Sequence, residues 1–154
     1  MTARLAALRL LAGRRLTEAQ LWARLGRRGF SEDETREAVE SAKRDGFLDD
    51  ALFARLFVDG CVKAVGDARL LADLVRRGID REAARHSVAC AERPEAQRLE
   101  AAVEKLFRTR TSLSYPSAAR ALERLGFPAP SIYRHVRARA QCDDLQGLAA
   151  EDSH

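Results

Sequence analysis

The chain has 154 residues, of which 46% are hydrophobic and 32% charged, with a formal net charge of +4. Arginines interrupt its apolar stretches, so no segment approaches the roughly 20 apolar residues of a membrane span or the apolar core of a secretory signal. Three widely spaced cysteines exclude a disulfide framework. These features predict a soluble cytoplasmic protein.

The composition predicts a chain that is almost entirely helical. Ala, Leu, Arg and Glu dominate, Gly and Pro number only nine and four, and no alternating strand pattern of useful length occurs. Thr17 and Ser31 are each followed three residues later by Gln or Glu, the pattern of a capping box at a helix start. Asp80, and one of Asp49 and Asp50, are expected to cap further helices.

Three glycine turns reveal an internal repeat. When Gly29, Gly78 and Gly126 are aligned, apolar residues stand 13, 8 and 4 positions before each glycine and one position after it. A valine stands ten positions after each, and the match runs without gaps over 24 positions. Each unit is therefore predicted to hold a short helix, a turn with a left-handed glycine, and a second helix.

A further helix is predicted before each pair, which gives three tandem three-helix units. The preceding helices are expected at about residues 3–12, 50–64 and 95–110, and the helices after each glycine at 31–44, 80–92 and 129–141. The predicted domains are residues 1–48, 49–93 and 94–142, followed by an acidic and disordered tail of 143–154. Because one such unit buries its apolar stripe poorly alone, stacking predicts an elongated, curved, all-α monomer.

Charge is distributed unevenly along the chain. Residues 1–28 hold seven arginines and one glutamate, and residues 105–139 hold eight bases and one glutamate. Residues 140–154 hold four acids and no lysine or arginine. The two basic blocks suit phosphates or an acidic protein groove. The alternative is compositional, because 24 of the 27 bases are arginine, as a GC-rich genome would supply without selection for binding.

No residue pattern indicates catalysis, a cofactor or a metal. The three histidines have no spacing typical of a nucleophile–base pair, and the chain contains no P-loop or GxGxxG motif. His86 and Cys90 stand four residues apart, but no further ligands complete a metal site. Asp49 and Asp50 are interpreted as helix caps, so we expect a protein without enzymatic activity.

Helix–glycine–helix units also resemble helix-turn-helix DNA readers. The helix after Gly29 begins Ser31-Glu32-Asp33-Glu34, and carboxylates there would repel phosphates, so sequence-specific reading is disfavoured. Non-specific contact with the DNA backbone stays open. The arginine pairs before Gly29 and Gly78 are also explained by the helix dipole, which favours cations at a C-terminus.

The segment from Asp45 to Ala54, Asp-Gly-Phe-Leu-Asp-Asp-Ala-Leu-Phe-Ala, resembles the signature of the RecX family of bacterial recombination regulators. Gly66, Arg69-Leu70 and Arg77-Gly78 follow at the family's spacing, and the resemblance extends over about residues 5–141. It is looser in the third unit, where two prolines crowd the turn. The resemblance implies a non-enzymatic protein that lodges in the groove of the RecA filament on single-stranded DNA. It also implies inhibition of the ATPase and strand exchange of RecA.

Residues of two kinds are singled out by this resemblance and by the charge pattern. The signature residues are interpreted as structural: Leu48, Asp49, Asp50, Phe53, Ala54, Gly66, Gly78 and Gly126. Contact with the recombinase or DNA is predicted at basic positions expected to be exposed: Arg24, Arg27, Arg28, Arg69, Arg76, Arg77, Arg120, Arg124, Arg134, Arg137 and Arg139. A DNA-binding protein acting without the recombinase, and an adaptor for another protein, remain as alternatives.

Overall fold

A computed structural model describes residues 1–151, with the side chain of residue 151 excepted. Within that range it contains nine α-helices and no strand, which confirms the predicted all-α class. The helices are α1 (Ala3–Gly13), α2 (Glu18–Arg27), α3 (Glu32–Arg44), α4 (Asp50–Asp59), α5 (Asp67–Arg76), α6 (Arg81–Ala89), α7 (Glu95–Thr109), α8 (Tyr115–Arg124) and α9 (Ala129–Glu151).

Local sequence signals account for where most helices begin and for the turns between paired helices. The capping boxes at Thr17 and Ser31 are both formed, and the Asp80 carboxylate accepts hydrogen bonds from the first amides of α6. The three aligned glycines have φ angles of +88°, +90° and +89°. Residues other than glycine rarely adopt φ angles in this region. The glycine therefore recurs because each unit needs a left-handed turn at this position.

Two predicted helix ends are wrong. α4 ends at Asp59 rather than at residue 64, since the amide of Gly60 closes its last turn on the Leu56 carbonyl. α9 continues to Glu151, although we expected it to end at 141 and the tail to be disordered. No proline follows Pro130, and Ala, Gln and Leu favour continuation of the helix. Residues 152–154 lie outside the described residues.

Contacts divide the chain into two compact units. The first comprises residues 1–60 and 71–91, and the second comprises residues 61–70 together with the chain from Glu92 onward. In the first unit α1 packs on α2 and α3, and α4 packs on α6. In the second, α7, α8 and α9 pack on one another around Leu99, Leu122 and Phe127. The division into three domains stays a prediction.

Candidate anion-binding pocket

The two adjacent aspartates of the signature segment cap two different helices. Asp49 Oδ1 accepts a hydrogen bond from the Leu52 amide at 3.0 Å, which caps α4. Asp50 Oδ1 accepts one from the Glu18 amide, the first of α2, at 2.8 Å. Burial raises the pKa of the Asp50 carboxyl above its ordinary value. Both carboxylates therefore have structural partners in the first unit.

The apolar residues of the same segment belong to the interior of the first unit. Leu48, Phe53 and Ala54 are all buried. The ring of Phe53 stacks on that of Phe57 with centroids 6.3 Å apart, and the Arg77 guanidinium carbon lies 4.5 Å from the centroid of Phe57. These side chains are packed rather than presented to a partner.

A hydrogen bond to a backbone carbonyl occurs at equivalent places in the two units. In the first, the Thr17 hydroxyl donates to the Arg77 carbonyl at 2.6 Å. In the second, the Gly66 amide donates to the Leu125 carbonyl at 2.8 Å. Thr17 and Gly66 each stand 12 positions before an aligned glycine, and the accepting carbonyl directly precedes the next one. The repeat therefore places the start of a middle helix against the following glycine turn.

The contact at Gly66 is so close that no side chain fits. A Cβ there would lie 2.1 Å from the Gly126 carbonyl oxygen, and a Cβ at Gly126 would lie 2.6 Å from that of Arg69. The start of α5 is thereby held against the end of α8. Arg69 and Arg124 consequently meet, and Arg69 Nη1 lies 3.4 Å from the Arg124 carbonyl oxygen.

A cavity of about 420 Å³ opens beside this contact, entirely within the second unit. We call it the basic pocket. Five of its lining residues are basic, five are apolar, and one is a threonine, with no carboxylate among the described lining residues. The lining residues are Lys63, Arg69, Lys105, Arg110, Arg124, Ala64, Ala102, Leu106, Ala121, Leu125 and Thr109.

The two kinds of lining residue differ in depth. All five basic residues are exposed, whereas all five apolar residues are buried or half-buried. The pocket therefore has an apolar floor, formed mainly by α7 and α8, and a basic rim. The rim residues come from the segment before α5, from α5 itself, from the end of α7 with the residue that follows it, and from α8. Such a rim concentrates positive potential over an apolar surface.

A buried arginine fixes the segment that carries Lys63 and Ala64. Arg98 on α7 is only 6% exposed, and its guanidinium donates to the Val65 carbonyl at 2.5 Å and to the Asp67 carboxylate. The Asp67 amide in turn donates to the Glu95 carboxylate at 3.0 Å. Arg98 was not predicted from the sequence, because it has no signal of its own in a chain with so many arginines.

Several ion pairs lie outside the basic pocket, among them those of Arg4, Arg36 and Lys43. Lys63, Lys105, Arg110 and Arg124 line one cavity with no carboxylate among its described lining residues, so their positive charges repel one another. Such an arrangement favours occupation by an anion.

The arginines predicted as contacts are scattered. Only Arg69 and Arg124 line the basic pocket. On the first unit Arg27, Arg28 and Arg76 are exposed, and on the second unit so are Arg120, Arg134 and Arg137. Arg76 pairs with Asp73, and Arg137 lies over the Tyr133 ring with 5.9 Å to its centroid.

Three of the predicted contacts are not exposed as expected. Arg24, Arg77 and Arg139 are half-buried. Arg77 is held over Phe57 and donates to the Asp73 carbonyl at 3.0 Å. Arg139 lies 4.6 Å from the Phe107 centroid. The aliphatic stems and planar heads of Arg77 and Arg139 pack against rings, which a sequence of charges alone does not predict.

Three rim residues, Lys63, Lys105 and Arg110, were also not predicted from the sequence. The available signal was lysine itself, because the chain has only three lysines and two of them line this pocket. The third, Lys43, pairs with Glu18 and Glu40. A genome that favours arginine codons accounts for the arginines but not for the lysines.

Other chemistry is sparse in the described residues. The Cys90 sulfur lies 3.8 Å from His86 Nε2, and no group of three or more His, Cys, Asp or Glu side chains suited to a metal occurs between residues 1 and 151. None of the helices in that range combines the length and apolar character that crossing a membrane requires.

Comparison with known proteins gives concordant results. The family model described as "RecX, first three-helix domain" matches residues 3–41. A regulatory protein RecX of Thermus thermophilus is 38% identical over 122 residues, which cover 79% of this chain and 81% of the relative. That of Halorhodospira halophila is 32% identical over 146 residues, with 92% and 90% covered. The crystal structure of RecX from Lactobacillus salivarius has a similar fold, with a TM-score of 0.76, 18% identity, and 88% and 93% covered.

Proposed function

We propose a function from one premise: the chain belongs to the RecX family of regulatory proteins. We infer that it binds the RecA recombinase filament on single-stranded DNA and lowers the ATPase, strand exchange and growth of that filament. It acts in the cytoplasm as a monomer and catalyses no reaction of its own. The family resemblance of the signature segment, with its implied place in the filament groove, supplies this partner.

The family supplies the partner, and the basic pocket is the surface that we infer contacts this partner. The groove of a filament on DNA presents phosphates and acidic protein side chains, and either would be attracted to the exposed basic residues of this rim, which include Lys63, Lys105 and Arg110. The exposed arginines outside the pocket, such as Arg27, Arg28 and Arg134, supply further weak contacts. Several weak contacts on one filament reinforce one another through effective concentration.

A second candidate function is binding of nucleic acid without the recombinase. The pocket favours it as well, because its rim would attract phosphates whether or not RecA is present. The first function predicts that added protein lowers the filament ATPase, and the second predicts binding to naked DNA with an unchanged filament ATPase.

The test is a pair of titrations with the same protein preparation. Added to preformed RecA filaments, the protein is expected to lower the ATPase rate as its concentration rises. Raising the salt concentration should shift that curve to higher protein concentration, because screening weakens contacts between exposed charges. Added to naked single-stranded DNA, it is expected to bind more weakly than to the filament. Binding to DNA with an unchanged filament ATPase would support the second function, and no effect in either titration would contradict both.

A further inference from the structure

We propose that the basic pocket binds a nucleotide, with its phosphates on the rim and its sugar and base against the apolar floor. The nucleotide is either free in solution or one unit of a single strand, since the two share the same chemistry. A single strand held by the recombinase is one of these sources, and only for that source does the inference rest on the proposed function. Its test requires no recombinase, so the two proposals fail separately.

The size of the pocket suits a ligand of this class. Its volume of about 420 Å³ lies within the roughly 300–1,000 Å³ typical of small-molecule sites. Those sites combine a mainly apolar lining with a few polar groups that fix orientation. The five apolar lining residues are alanines and leucines from three parts of the second unit, so several side chains form the floor rather than one.

The charge of the rim selects the ligand's polar part. Three arginines and two lysines surround the opening. Guanidinium groups form paired hydrogen bonds with phosphate oxygens, and lysine ammonium groups add point charges. Thr109 lines the pocket, but its hydroxyl donates to the Lys105 carbonyl at 2.8 Å. A phosphorylated ligand therefore meets donors of the type it requires.

The combination of rim and floor excludes simpler anions as the best fit. Inorganic phosphate or pyrophosphate would use the rim and leave the apolar floor in water. A nucleotide covers both, so burial of its base and sugar adds to the electrostatic attraction. The base must be unpaired to reach the floor, which favours a free nucleotide or a single strand over a duplex.

The pocket is also held in shape before any ligand arrives. The close approach of Gly66 to Gly126 fixes Arg69 beside Arg124. Arg98 ties the segment after Lys63 to α7 through the Val65 carbonyl and the Asp67 carboxylate. A preformed site loses less conformational entropy on binding, which raises affinity.

The experiment measures binding by isothermal titration calorimetry with four probes: ATP without magnesium, pyrophosphate, a short oligothymidylate and a polyglutamate peptide. We expect ATP and the oligothymidylate to bind more tightly than pyrophosphate or the peptide. The tighter of the two nucleotide probes identifies the source, free nucleotide or single strand.

A matched pair of charge reversals locates the site. Lys105→Glu lies on the rim, and Arg108→Glu lies on the same helix, exposed but outside the lining. The rim variant should weaken nucleotide binding about tenfold or more, because a cation that contacts phosphate is replaced by an anion. The control should change it by less than about twofold, since screening limits its effect. Circular dichroism melting on both variants verifies that each is folded.

A floor variant tests the base-binding part of the proposal. Ala121→Leu adds bulk to the half-buried floor and leaves every rim cation in place. It should weaken ATP binding about fivefold or more while leaving pyrophosphate binding nearly unchanged. Equal affinity of the wild-type protein for ATP and pyrophosphate would overturn the proposal in favour of a bare anion site. Stronger binding of polyglutamate, or equal losses in Lys105→Glu and Arg108→Glu, would overturn it as well.

Discussion

The turn at Gly78 and the basic pocket are both basic regions, but the sequence favours the first as a binding surface and the structure favours the second. In the sequence the turn stands out, because Arg76 and Arg77 are adjacent at a helix end. In the structure Arg76 pairs with Asp73, and Arg77 lies half-buried over Phe57. The pocket has no comparable signal, since its five cations come from residues 63 to 124.

The difference shows that charges adjacent in a sequence are often neutralised locally, whereas charges that meet in space add their fields over one surface. On a helix an arginine reaches a carboxylate three or four residues away, as Arg76 reaches Asp73. Arg69 and Arg124 of the rim are instead brought together by the tertiary contact between Gly66 and Gly126. Electrostatic attraction for a partner depends on the spatial cluster.

The largest effect is expected from Gly66→Ala, which would damage the pocket but not the turn. The added Cβ would meet the Gly126 carbonyl oxygen at 2.1 Å, so the backbone of α5 or α8 must shift. We expect a loss of about 3 kcal/mol in the free energy of unfolding, at the upper end of overpacking. Denaturant titration measures it.

Gly26→Ala is the matched control for that substitution. Gly26 lies within α2, and a Cβ there has nothing within 4 Å. Alanine is favoured over glycine inside a helix, so this variant should be more stable by about 0.5–1 kcal/mol. Equal stability of Gly66→Ala and the wild-type protein would contradict the close backbone contact that builds the pocket.

A medium effect is expected from Arg77→Ala, which tests whether Arg77 packs within the protein or serves to contact a partner. The substitution removes the stacking on Phe57 and the hydrogen bond to the Asp73 carbonyl. We expect a loss of about 1–2 kcal/mol in unfolding free energy. Arg76→Ala breaks an exposed ion pair and should cost less than about 0.5 kcal/mol. Thermal melting of the two variants compares them, and equal stabilities would mean that Arg77 is not a packing residue.

The smallest effect is expected at Asp50, whose carboxylate accepts a hydrogen bond from the first amide of α2 and does not line the basic pocket. Its folded-state pKa is raised, chiefly by burial, so the folded protein binds this proton more tightly than the unfolded chain does. Its contribution therefore lowers stability as pH rises from the unfolded pKa through the raised folded pKa, and stays constant above it. Asp50→Asn keeps an oxygen acceptor for the Glu18 amide and removes this titration.

Urea unfolding of the wild-type protein and Asp50→Asn across the acidic range measures the difference. At neutral pH the variant should lie within about 0.5 kcal/mol of the wild-type protein or slightly above it. At pH values below the unfolded pKa the wild-type protein should regain stability relative to the variant. Asp50→Ala, which deletes the acceptor, should lose about 1 kcal/mol. A stability difference that grew in the opposite direction with pH would contradict the assigned cause of the shift.

Much of the fold could be predicted because its signals are local. Capping boxes, turn glycines and apolar spacing each depend on residues within one or two helical turns, and they place most helix ends within a few residues. The end of α9 could not be predicted, since no proline follows Pro130 and Gly147, the glycine that could have marked a stop, lies inside the helix.

The candidate site could be predicted only in part. Arg69 and Arg124 were predicted as exposed basic positions, and Arg69 also belongs to the basic–aliphatic pair of the family resemblance. The rim residues Lys63, Lys105 and Arg110 were not predicted, because their proximity depends on the tertiary packing of α7 against α8 and of the segment before α5. The burial of Arg77 and Arg139 likewise depends on rings distant in sequence.

We expect the basic pocket, rather than the turn at Gly78, to contact the filament. The most direct measurement is the RecA filament ATPase against concentration of the wild-type protein, Lys105→Glu and Arg76→Glu, at two salt concentrations. We expect Lys105→Glu to require about tenfold more protein for half-inhibition and to depend less on salt, and Arg76→Glu to follow the wild-type curve. Normal inhibition by Lys105→Glu together with impaired inhibition by folded Arg76→Glu would contradict the account.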